Sequence, residues 1–139
     1  PGTVSNDQVA AMSRKHDSGR WSGFPSPARD YLEHDLDLNG HLIRNPTATF
    51  FVRMDGDSML QAGIHPQDLL IVDRSRDPKQ GSVVLATFQG EFLVRTIRFD
   101  GGPVRLCPAH PDFTEIPLSR ESDFLVWGVV THAIHALDP

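Results

Sequence analysis

A short polar segment that follows an apolar run carries the residues best suited to chemistry. The run, residues 49–54, is rich in β-branched and aromatic side chains, and the segment 55–59 reads Asp-Gly-Asp-Ser-Met. A run of this kind that stops at glycine predicts a strand ending in a tight turn. Ser58 would present a hydroxyl nucleophile there, and the backbone N–H groups of Ser58 and Met59 are candidates for an oxyanion hole. The competing interpretation is a turn without chemistry, because Asp and Ser bond their own backbone in many turns.

The elements that must position this turn are predicted to be strands. Candidate strands span 48–54, 68–74, 82–88, 91–99, 103–107 and 124–136, with Gly, Pro, Asp and Asn clustered between them. Gln89-Gly90 and the segment 100–102 predict tight hairpins. Short strands without long intervening helices favour a compact, mostly antiparallel β fold.

The N-terminal part of the chain differs in composition. Residues 1–22 are polar and predict a flexible, extended arm. Residues 23–47 are expected to be a linker with a short helix over 28–36, followed by a turn into a short strand at 37–43. Residues 48–139 are expected to form the β domain.

Composition limits the possible functions. A net charge of −5 and a pI near 5.7 argue against a general binder of nucleic-acid backbones, so we expect no direct sequence-specific DNA binding. No apolar run approaches the length of about 18 residues that spans a membrane. Neither a secretory signal nor a cysteine pair is evident, so we expect a cytoplasmic protein without disulfides.

The histidines and the single cysteine give no sign of a metal site or cofactor. His65, His110, His132 and His135 are scattered in sequence, and no Cys or acidic cluster is seen to join them. Cys107, between Leu and Pro, is interpreted as a small buried apolar group. We therefore expect no metal and no cofactor.

Five sequence blocks together resemble the UmuD-like branch of the LexA/UmuD self-cleaving serine–lysine peptidases. The blocks are Gly-Phe-Pro-Ser-Pro-Ala at 23–28, Gly-Asp-Ser-Met at 56–59, Asp-Leu-Leu-Ile-Val-Asp at 68–73, Gly-Glu-Phe at 90–92 and Trp-Gly-Val-Val at 127–130. They occur in the family's order and cover most of the chain. The resemblance implies the compact LexA/UmuD-type β fold.

By this resemblance, Ser58 is the nucleophile and the Ser22–Gly23 bond is the one that is cleaved. The family's general base is a lysine on the strand after Gly-Glu-Phe, and Arg95 occupies that position here. Arginine keeps its proton in proteins and cannot act as this base. The only lysines, Lys15 and Lys79, lie in the arm and in a polar loop. We therefore expect little or no self-cleavage.

The resemblance also implies partners and a role. It implies a homodimer, stimulation of arm removal by a RecA–single-stranded-DNA filament, and assembly with the catalytic subunit of an error-prone DNA polymerase in the SOS response. A repressor is disfavoured because residues 1–22 cannot form a helix-turn-helix domain. The main alternative is a non-enzymatic β interaction module or pseudo-peptidase that regulates a polymerase or repressor.

Overall fold

A computed structural model describes residues 35–138, which form a β sheet with little helix. The one α-helix of this part, α1, spans Leu38–Leu42, and short 3-10 turns span Pro46–Ala48 and Leu60–Ala62. The strands are β1 (Thr49–Arg53), β2 (Leu69–Asp73), β3 (Val83–Phe88), β4 (Glu91–Arg98), β5 (Arg105–Cys107), β6 (Ile116–Pro117) and β7 (Phe124–Ile134). No helix within residues 35–138 is long and apolar enough to cross a membrane.

The strands form one seven-stranded sheet in the order β1-β2-β7-β3-β4-β5-β6. Every neighbouring pair is antiparallel. The last strand, β7, lies in the middle of the sheet between β2 and β3. The C-terminal part of the chain therefore joins the strands that flank the Ser58 turn to the strand pair that carries Arg95.

β7 bends where its register shifts against both neighbours. The shifts lie opposite the Ile71/Val72 step of β2 and the Leu85/Ala86 step of β3. Gly128 lies in this region and has no room for a side chain, because a Cβ atom there would lie 2.8 Å from Val72 Cγ1 and 2.9 Å from the Asp73 carbonyl oxygen. The close approach of β7 to β2 therefore requires glycine.

Apolar side chains pack on both faces of the sheet. Leu85 belongs to one cluster, whereas its neighbours Val84 and Ala86 belong to the other, because successive side chains of a strand point to opposite faces. The first cluster also contains Met54 and Met59, which flank the Ser58 turn. Met59 is fully buried, so the turn is fixed by the core immediately after the serine.

Most of the strand predictions are confirmed, and the fold is the mostly β, LexA/UmuD-type fold expected from the sequence. The two-residue hairpin at Gln89-Gly90 is confirmed, and both residues have positive φ, as a type I′ turn requires. The antiparallel pairing of β4 and β5 confirms that the chain reverses around 100–102, but the hairpin is not tight, because residues 99–104 lie between the paired Arg98 and Arg105. β6 was not predicted, because two residues give no periodicity.

The turn and strand predicted for 37–43 are wrong. Leu38–Leu42 form α1, and the Ile43 N–H donates to the Asn39 carbonyl oxygen at 2.8 Å. The helical spacing of Leu38 and Leu42 was present in the sequence but was overlooked. The helix predicted over 28–36 lies outside the described residues except for its last two positions, which are not helical.

Candidate active site at Ser58

The turn that carries Ser58 begins directly after β1. Gly56 has φ of 79°, a left-handed conformation that glycine adopts without strain. The Met54 N–H donates to the Asp68 carbonyl oxygen and the Gln67 N–H donates to the Met54 carbonyl oxygen, each at 2.8 Å. These bonds close the base of the 54–68 connection, so the turn projects from the β1–β2 pair as a fixed loop.

A second set of backbone bonds holds this turn against the segment after β5. The Ala109 N–H donates to the Ser58 carbonyl oxygen at 2.8 Å, and the Gln61 N–H donates to the Ala109 carbonyl oxygen at 2.9 Å. Ser58 itself is 6% exposed. The serine is therefore positioned by paired backbone on both sides, as a nucleophile must be.

Arg95 of β4 meets the serine hydroxyl. Its Nη1 donates to Ser58 Oγ at 2.8 Å and to the Val94 carbonyl oxygen at 2.9 Å. The two residues lie 37 positions apart in sequence and meet because the Ser58 turn reaches β4, which pairs with β3 in the sheet. A guanidinium keeps its proton and cannot take one from the hydroxyl, so this contact does not activate the serine.

The guanidinium is buried without a counter-charge. Arg95 is 8% exposed, its Nε is buried and has no hydrogen-bond partner, and no carboxylate within residues 35–138 forms an ion pair with it. The ring of Phe113 lies 5.6 Å from its Cζ, close enough for a cation–π contact. Desolvation lowers the pKa of Arg95 from its ordinary value. A lysine in the same place would be shifted in the same direction, towards the range of a working base.

A cleft of about 280 Å³ opens beside this pair. Its walls include Val52 of β1, Leu85 of β3 and Phe92 of β4, and both Ser58 and Arg95 line it. Phe92 is 65% exposed, so one wall stands open to solvent. A groove with apolar walls and a hydroxyl at its base suits an extended peptide better than a small charged ligand.

The backbone N–H groups of Ser58 and Met59 are free of acceptors among residues 35–138. Unpaired donors beside a serine hydroxyl are what an oxyanion hole requires. Their role stays a prediction. Met59 contributes through its backbone only, because its side chain is buried in the core.

Comparison with known proteins places this geometry in a family. The model of the family described as Peptidase S24-like matches residues 21–131. The chain belongs to this family. Protein ImpA of Salmonella typhimurium is 46% identical over 114 residues, which is 82% of this chain and 77% of that protein. Protein SamA of Salmonella typhimurium strain LT2 is 45% identical over 82% of this chain and 79% of its own length. Protein MucA of Escherichia coli is 39% identical over 81% and 77% of the two chains.

These relatives and the family match identify the chain as a UmuD-like member of the LexA/UmuD peptidases. The family is one of peptidases, and the serine in a cleft is the feature of the described residues that agrees with that chemistry. Lys79 lies exposed in the β2–β3 loop and does not line the cleft. Lys15 and the predicted cleavage residues Ser22 and Gly23 lie outside the described residues.

Two side-chain contacts among the described residues were not predicted from sequence. Asp57 Oδ2 lies 3.3 Å from His110 Nε2, so the turn is tied to the segment after β5 by side chains as well as backbone. No local pattern links two residues so far apart. Cys107 is only partly buried, and its Sγ lies 3.6 Å from Glu115 Oε2. Burial and this carboxylate raise the pKa of Cys107, which disfavours the thiolate that a cysteine nucleophile needs.

Two histidines that are scattered in the sequence of this UmuD-like chain come together in the fold, beside a single acidic residue. The rings of His65 and His135 stack with centroids 4.2 Å apart, and both lie beside the buried carboxylate of Asp68. His135 also lies one residue beyond the end of β7 rather than within a strand. His132, in β7, lies with its Nδ1 3.0 Å from Thr131 Oγ1.

Proposed function

We propose that this chain is a cleavage-impaired UmuD-like subunit that acts in the SOS response with an error-prone DNA polymerase. The 2.8 Å bond between Arg95 and Ser58 carries this proposal. The bond supports the proposal that residue 95 occupies the position of the family's lysine base, where this chain has a permanent cation. The Ser22–Gly23 bond is the proposed substrate, and the N–H groups of Ser58 and Met59 are the proposed oxyanion hole.

The impairment follows from the order of chemical steps. Attack on a peptide carbonyl requires loss of the serine proton. Arg95 donates a hydrogen bond to Ser58 Oγ and cannot accept that proton. Loss of a general base typically lowers the rate by a factor of about 10²–10⁴. A chain with Arg95 would therefore stay uncut over times in which a lysine-bearing relative is processed.

Restoring the base is the direct test. We expect Arg95→Lys to release a fragment that begins at Gly23 when the full chain is incubated with a RecA–single-stranded-DNA filament. The same variant should also cleave slowly without the filament at alkaline pH, where more of the lysine is neutral. N-terminal sequencing or intact mass spectrometry of the products identifies the cut bond.

Two control variants make the result specific. Ser58→Ala combined with Arg95→Lys should stay intact, because the nucleophile is absent. Arg98→Lys, an exposed change at the end of the same strand, should leave the chain uncut. An intact Arg95→Lys chain that retains the wild-type circular dichroism spectrum and melting temperature would contradict the peptidase proposal.

The proposed partners need their own experiments. We propose a homodimer, which sedimentation equilibrium of the full chain would detect as twice the chain mass. We also propose a cytoplasmic location and binding to the polymerase catalytic subunit, which co-purification from cells treated with a DNA-damaging agent would test. Polymerase binding without any cleavage by Arg95→Lys would favour the alternative, a non-enzymatic β interaction module.

A further inference from the structure

A second cluster of chemically competent groups lies where the β1–β2 connection meets the end of β7. His65 and Asp68 belong to the connection, and His135 follows the last residue of β7. One potential ligand atom from each residue lies within 4.8 Å of the other two. Two imidazole nitrogens and a carboxylate oxygen form a donor set that divalent transition metals prefer.

The carboxylate at the centre of this cluster is buried and oriented. Asp68 is 1% exposed. Its Oδ2 accepts the His65 backbone N–H at 2.8 Å, and its Oδ1 lies 2.7 Å from His135 Nδ1. Burial alone would raise the pKa of Asp68, but the bonds from His65 and His135 hold it below its ordinary value. Since an ionised carboxylate only accepts hydrogen bonds, His135 Nδ1 must carry the proton in that contact.

One nitrogen of the cluster has no hydrogen-bond partner among residues 35–138. His65 Nδ1 is buried and makes no hydrogen bond, although it lies 3.8 Å from Asp68 Oδ2. A buried polar atom without a partner costs free energy and calls for an explanation. The His135 ring covers this nitrogen by stacking on His65 with an interplanar angle of 23°. The nitrogen thus lies close to the carboxylate, where a bound ion would become its partner.

We propose that His65, Asp68 and His135 bind a divalent transition-metal ion such as Zn²⁺. Zinc–ligand bonds are about 2.0–2.2 Å long, so the two rings must tilt apart until both Nδ1 atoms point to the ion. Both imidazole side chains are 42% exposed and have room to make this movement. The ion takes the place of the proton between His135 and Asp68 and gives His65 Nδ1 its missing partner.

The site has a structural consequence that does not depend on the proposed cleavage chemistry or polymerase role. Asp68 also accepts the Met54 N–H through its carbonyl oxygen, at the base of the loop that carries Ser58. An ion bound to Asp68 and His135 would tie the segment after β7 to this loop. Because the ion binds the folded chain, it would raise the melting temperature.

Cobalt and zinc titrations of the full chain test the proposal. We expect Co²⁺ to produce visible d–d absorption that saturates near one equivalent, and Zn²⁺ to displace it. His65→Ala and His135→Ala should each weaken binding at least about tenfold, which is the lower end of the cost of losing even an outer-shell partner. The matched control is His132→Ala, an exposed histidine of β7 three residues before His135, which should bind Co²⁺ as the wild type does.

The variants keep the outcome interpretable. Both substituted imidazoles are partly exposed and Asp68 is left in place, so the metal-free melting temperature shows whether each variant folds. Absence of a visible Co²⁺ band and of any zinc-dependent rise in melting temperature would overturn the site. Equal binding by folded His65→Ala, His135→Ala and wild-type chains would overturn it as well.

Discussion

At the scale of single residues, Arg95 combines two properties that rarely occur together. It is a buried cation without a carboxylate partner among residues 35–138, and it donates to the Ser58 hydroxyl. Burying a charge without compensation is costly, so this arginine does not stabilise the fold as an ion pair would. We therefore expect Arg95 to matter for the Ser58 site rather than for the stability of the core.

Replacing Arg95 with an apolar side chain of similar length tests this view. We expect Arg95→Met to unfold in urea with a free energy within about 1 kcal/mol of the wild type, because the desolvation cost of the guanidinium offsets its lost bonds to Ser58 and Val94. Arg98→Met serves as the exposed control on the same strand. A loss of about 3 kcal/mol or more would show instead that the buried charge is well compensated.

The two functional clusters differ in how far sequence predicts them. Ser58 and Arg95 were paired in advance because the family blocks around both positions are specific, and the contact agrees with that pairing. The stacking of His65 on His135 was missed. Those residues are joined only by the pairing of β2 with β7, and no local pattern reveals which distant strands become neighbours.

At the scale of elements, the position of β7 decides the architecture. Strands β1 to β5 and β7 were predicted from β-branched and aromatic runs, and β3 and β4 were correctly joined by a tight turn. The insertion of β7 between β2 and β3 follows from long-range packing, which periodicity does not encode. The close approach of β7 to β2 requires Gly128. In the sequence this glycine is recognisable only as part of the family block at 127–130, which does not reveal the contact.

Gly128→Ala tests whether that approach is tight. The added methyl group would lie 2.8 Å from Val72 Cγ1 and 2.9 Å from the Asp73 carbonyl oxygen, distances at which neighbours must move. We expect a loss of about 1–3 kcal/mol in the free energy of unfolding, the usual cost of overpacking. Val72→Ala should lower the free energy of unfolding by less in the Gly128→Ala variant than in the wild type, because it removes one of the two clashes. A Gly128→Ala chain as stable as the wild type would mean that β7 can shift without cost.

At the scale of the whole molecule, acid stability depends on a buried carboxylate at the end of β2. Asp73 is 3% exposed, and it accepts bonds from Ser75 Oγ, Asn45 Nδ2 and the Ser75 N–H, with Arg76 Nε at 3.5 Å. The Ser75 hydroxyl first, and then Asn45, hold the pKa of Asp73 below its ordinary value. These bonds link the segment before β1 to the turn after β2. The charge on Asp73 therefore stabilises the folded arrangement of these two segments.

The sign of the pH dependence follows from that lowered pKa. The unfolded chain takes up the proton near the ordinary value of about 3.9, while the folded chain resists it until lower pH. The contribution of Asp73 is thus complete above about pH 4 to 5 and is lost as the pH falls through the folded-state pKa.

We expect Asp73→Asn to cost about 1–3 kcal/mol at pH 7, because Asn presents an amide donor where a second acceptor is needed. Urea unfolding at pH 7, 5 and about 3 should show the gap between wild type and variant closing only at the lowest pH. Asp77→Asn changes the net charge equally at an exposed position of the same loop and should show no such closing gap. A gap of constant size down to the lowest pH would mean that Asp73 acts through its shape rather than through its charge.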